Sequence, residues 1–92
     1  MSMPIERTLS IIATRRFLYD LSLTEDVPEN LRLQATRLLR HYPSGVEVTN
    51  LGRREAKVAE TFTWWSPMFA AEDKHDQAYL EELLQNDKLV RT

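Results

Sequence analysis

Apolar residues recur along this chain at helical spacing, and prolines cut the recurrence into segments. From Pro4 to about Leu21, Ile5, Leu9, Ile12, Ala13 and Phe17 form a main stripe at steps near the 3.6-residue period of an α-helix. Pro4 suits a first helical turn, Ser2 stands nearby as a capping side chain, and Glu6 favours the positive helix end. Ile11 and Leu18 lie seven apart on the opposite side, so this helix carries apolar residues on two faces. One small core needs only one face, so this helix is either central in the fold or carries a second partner surface, with Ile11 and Leu18 as the candidates for a partner or dimer contact.

The pattern predicts a second helix over 28–42, opened by Pro28, with Leu31, Ala35, Leu38, Leu39 and Tyr42 on one face and Leu33, Arg37 and Arg40 on the other. The stretch LLRHYPSG ends it. Pro43 disfavours helical geometry at Tyr42, and Arg40 and His41 then sit in the last turn, against the negative helix end. Ser44 and Glu47 spell S-x-x-E, a capping box that starts the next helix at once.

A third helix is expected over 45–62, with Val48, Leu51, Val58, Ala59 and Phe62 on one side. Asn50 and Gly52 interrupt it, because glycine costs about 1 kcal/mol against alanine in a helix interior. It either continues with a kink or splits near 50–52. TWWSPMFAAEDK, residues 63–74, reads as an apolar connection with a Ser66-Pro67 turn. A last helix follows over 74–86, opened by Asp73 or Lys74 and striped by Tyr79, Leu80, Leu83 and Leu84, before a frayed NDKLVRT end. No strand-like alternation appears. The fold expected is a compact all-α single domain of four helices, or five if the third one splits.

Composition adds limits. Ninety-two residues make one domain, with 42% hydrophobic and 28% charged residues. With no cysteine, disulfides and thiolate metal sites are excluded. The opening MSMPIERTLS lacks the basic-then-apolar order of a signal peptide, and no apolar run approaches the roughly 20 residues of a membrane helix. A cytoplasmic protein without a membrane partner is the expectation. Charge divides unevenly: six arginines face five acids in residues 1–46, while six Lys or Arg face nine acids in residues 47–92.

Chemistry is sparse. The two glycines, Gly45 and Gly52, build no phosphate loop. Nothing sets Ser44 or Ser66 beside a histidine, and EDKHD at 72–76 reads as acids opening a helix rather than a metal site. We expect no enzyme activity, no metal, no cofactor and no small-molecule substrate. Two surfaces stand out instead. Trp64, Trp65, Met68 and Phe69 are too large to leave wholly in water, two successive Trp on a turn cannot easily both point into one small core, and Trp is enriched in binding hot spots. They read as a lid over the core or as a partner contact. Arg15, Arg16, Arg37, Arg40 and His41, with Arg53 and Arg54, would bind nucleic acid if they converged. Interleaved acids, Asp20, Glu47 and Glu55 among them, argue for ordinary solvated faces. The leading expectation is therefore a non-enzymatic protein-interaction protein, a homodimer or a partner-binding adaptor, with nucleic-acid association as the alternative.

Three motifs carry a resemblance. Met3-Pro4 with Glu6-Arg7-Thr8, Thr14-Arg15 with Phe17-Leu18, and Leu38 to Pro43 are similar to motifs of a family of small uncharacterised proteobacterial proteins. The resemblance covers about residues 3–48, and Arg16 departs from the acidic residue the family pattern has there. It implies no activity, and it weighs LLRHYP towards a shared structural corner.

Overall fold

In the computed structural model, which describes residues 3–91, the chain forms α1 (Pro4–Leu23), α2 (Glu29–Arg40), α3 (Gly45–Thr61) and α4 (Gln77–Asp87). Among the described residues there is no strand, and the fold is a single all-α domain. The prolines and caps explain the boundaries. Pro4 is the first residue of α1, and the Glu6 carboxylate accepts the Met3 N–H at 2.8 Å. Ser2 lies outside the described residues. At α3 the capping box is complete: Ser44 Oγ accepts the Glu47 N–H (3.2 Å), and Glu47 Oε1 accepts the Ser44 N–H (3.0 Å).

The helices do not form a square bundle. α2 packs on α1 alone, along its C-terminal half, where Leu18, Ala35, Leu39 and Val90 are buried together with Tyr19, Leu21 and Tyr42 against them. α3 starts beside the middle of α1 and runs towards its N-terminus. α2 and α3 thus follow one another along α1, both antiparallel to it, with the Tyr42-Pro43-Ser44 corner between them. Twelve and seventeen residues of helix add about 44 Å end to end. The longest dimension of the molecule is 48 Å and the other two are 24 Å.

α4 covers one flank of this layer. Arg16 Nη1 reaches the Asn86 carbonyl at 3.4 Å, and Val46, Thr49 and Arg53 of α3 share a crevice with Glu81, Leu84 and Lys88. A buried ion pair locks the corner: Arg15 Nη1 donates to Asp87 Oδ1 at 2.6 Å. The other oxygen of Asp87, Oδ2, accepts the Gly45 N–H at 2.8 Å, at the positive start of α3.

Several expectations need correction. Of the two alternatives for α3, a split near 50–52 does not occur: the helix runs on through Gly52, against which the backbone of residues 70 and 71 passes closely. A Cβ built there would stand 2.8 Å from the Ala70 carbonyl carbon, so the glycine is kept for room rather than for a break. The C-terminal residues are not frayed: Asp87 is ion-paired and Val90 is buried in the α1–α2 core. α4 begins at Gln77 rather than at 74, since the Asp73 carboxylate turns back to accept the His75 N–H (3.1 Å). On α1 the buried positions are Thr8, Ile12, Arg15 and Leu18, which leaves Phe17 of the expected stripe 62% exposed.

Candidate interaction surface

The aromatic connection after α3 is held by its backbone and leaves its side chains free. α3 ends at Thr61, and the Trp65 N–H closes a turn onto the Phe62 carbonyl at 2.9 Å. Beyond the turn, the buried Glu55 carboxylate accepts two consecutive amides, Met68 N–H (2.9 Å, Oε2) and Phe69 N–H (3.0 Å, Oε1). Arg7 Nη1 donates to the Met68 carbonyl at 3.2 Å. The Thr8 hydroxyl then donates to the Ala70 carbonyl (2.8 Å) and accepts the Ala70 N–H (3.0 Å). Residues 68–71 therefore run as a strap between α1 and α3, and Gly52 supplies the space that lets it pass.

This clamp presents the aromatics outward. Trp64 is 74% exposed and Trp65 39%. The rings of Phe62 and Trp64 are 5.8 Å apart, and Trp64 and Trp65 meet edge to face at 6.0 Å. Met68 is exposed and Phe69 half-buried. Trp64 closes no core. Neither Trp is among the buried residues.

The other residues expected at a partner surface separate. Ile11 is half-buried beside Met68 and Phe69. Leu18 is only 8% exposed, in the core cluster between α1 and α2. Its place on the second apolar face of α1 is explained by α2, which packs there. The free apolar surface lies elsewhere, on the flank opposite α4. At 100° per residue, Leu51 and Val58 of α3 turn to that flank, and so do Leu31 and Leu38 of α2. All four are exposed, Leu38 at 60%. Periodicity alone did not find this surface, because in the sequence these residues share stripes with core neighbours such as Ala35 and Val48.

The arginines do not gather. Arg15 is buried in its ion pair with Asp87 and is unavailable to an outside phosphate. Arg16 is paired with Asp20 at 3.2 Å and lies 5.8 Å from the Tyr19 ring centre. Arg37, Arg40 and His41 are exposed at the end of α2, which makes no packing contact with the α3 that carries Arg53 and Arg54. The His41 N–H caps α2 on the Leu38 carbonyl, and Glu47 belongs to the Ser44 box. LLRHYPSG is thus a helix end, a corner and a helix start.

Among the described residues, no three His, Asp or Glu side chains gather as a metal site, and no helix is long and apolar enough to cross a membrane. A groove of about 460 Å³ lies between α3 and the strap, with Arg53, Lys57 and Glu72 as its charged lining residues. The Ser44 N–H, helped by the Ser44 hydroxyl, holds the Glu47 carboxyl below its ordinary value. Comparison with family models, curated proteins and solved structures returns no match to this chain.

Proposed function

We propose that this chain is a small non-enzymatic interaction protein that binds another protein through Phe62, Trp64, Trp65 and Met68. The observation that carries the reading is the pairing of a fixed backbone with free aromatic side chains. Glu55 spends both carboxylate oxygens on ordering Met68 and Phe69. Trp64 remains largely in water despite a large apolar area whose burial is favourable. A contact surface ordered in advance loses little entropy on binding, which raises affinity. Membership in the proteobacterial family that residues 3–48 resemble, and action in the cytoplasm by a chain without cysteine, belong to the same proposal.

The test compares the wild type with Trp64→Ala and Trp65→Ala as baits in affinity capture, alongside their thermal melts. A protein held by the wild type and lost from both variants, with melting little changed, supports the reading. Variants that retain the same bound protein, or that lose several kcal/mol as emptied core sites do, overturn it.

A further inference from the structure

We infer that the partner includes a second copy of this chain, seated on the bare flank of the α1–α2–α3 layer to make a homodimer. The inference rests on the interaction reading above and names one occupant for a different part of the surface. Helical domains bury each apolar face against another layer. Here α4 and the residues after it cover one flank of the layer, while the other carries Leu31, Leu38, Leu51 and Val58 in the open. Leu31 and Leu38 are seven residues apart, as are Leu51 and Val58, so each helix contributes one apolar seam to the same face. Because α2 follows α3 along α1, the two seams continue one another down the long side of the molecule.

The area fits a second copy. A folded monomer of 10.8 kDa has an accessible surface of about 5,500 Å². This chain has 6839 Å², an excess of about 1,300 Å² by the same scaling. A standard interface removes about 800 Å² from each partner, and permanent homodimers remove about 1,000 Å² or more. Closing the bare flank on its twofold-related copy therefore returns each protomer to an ordinary surface. A twofold contact sets the same residues of both copies against one another, as an isologous interface requires.

The experiment is sedimentation equilibrium across the micromolar to millimolar range, with helical content followed by circular dichroism. The wild type is expected at twice the mass of the 10.8 kDa chain. Leu38→Glu is expected to weaken association by about 100-fold or more, as for a central contact residue. Leu33→Glu, exposed on the opposite side of α2, serves as the control and stays dimeric. Leu51→Glu provides a second disruption on α3, so a misfolded Leu38 variant does not decide the matter. A monomeric wild type throughout the range overturns the dimer, as does equal weakening by Leu33→Glu and Leu38→Glu. A monomer that nevertheless holds another protein through Trp64 and Trp65 overturns the dimer and leaves the interaction reading standing.

Discussion

Arg15 and Asp87, 72 positions apart, meet in a buried ion pair with Nη1 2.6 Å from Oδ1. Asp87 also accepts the first amide of α3, so one carboxylate joins the middle of α1, the start of α3 and the end of α4. Asp87→Ala strands a guanidinium and a backbone N–H away from water. Loss of one partner from a buried pair costs about 3–5 kcal/mol. The double substitution Arg15→Met with Asp87→Leu is expected to cost less than Asp87→Ala alone. Urea unfolding of both variants checks the order, and a milder single than double substitution refutes it.

Gly52→Ala sets two effects against each other. Alanine favours the helix by about 1 kcal/mol over glycine. The new methyl would stand 2.8 Å from the Ala70 carbonyl carbon and 3.0 Å from the Ala71 nitrogen, both backbone atoms that cannot rotate aside. Overpacking of this kind costs about 1–3 kcal/mol. The strap wins: the variant is expected to melt below the wild type, and a higher melting temperature would contradict the close approach.

Glu55→Ala removes the acceptor for two consecutive amides. Unmaking part-buried hydrogen bonds to a charged group costs about 2–3 kcal/mol. The informative measurement is local: hydrogen exchange at Met68 and Phe69 should accelerate well before exchange in α1. Equal acceleration throughout would mean that Glu55 supports the whole fold and not this segment.

Acid should weaken the start of α3. Because the Ser44 N–H favours the ionised form of Glu47, the folded-state acidity lies below the ordinary value of 4.5. The unfolded chain then takes up the proton first. This contribution is present above about 4.5 and fades as pH falls through the lower folded value. Glu47→Gln should flatten that part of the stability profile while leaving its neutral shape alone. An unchanged acid limb would show that the box does not titrate with folding.

Four helices were legible because their ends are written locally. Pro4, Pro28, Pro43 and the Ser44–Glu47 box act within a few residues of the bonds they control. What escaped depends on distant partners. Thr8, Arg15, Glu55 and Asp87 look like surface residues until the strap and α4 meet them from 13 to 72 positions away. The face of α1 was misjudged for the same reason: with apolar residues on two sides, only the packing of α2 decides that Leu18 is core and Phe17 is not. Gly52 could be read as a helix breaker, and its real reason comes from Ala70. The aromatic segment was visible as a candidate, but its exposure follows from the Glu55 clamp, which no spacing announces.

The position of Val90 bears on how the chain is born. It fills the cluster made by Leu18, Ala35 and Leu39, residues synthesised long before it. Until residue 90 has been added, that cluster lacks one of its four buried members. Domains are usually pictured as folding from the first-made end. Here residue 90 completes a cluster whose other three members lie at positions 18 to 39, so the α1–α2 pair cannot finish its core by itself.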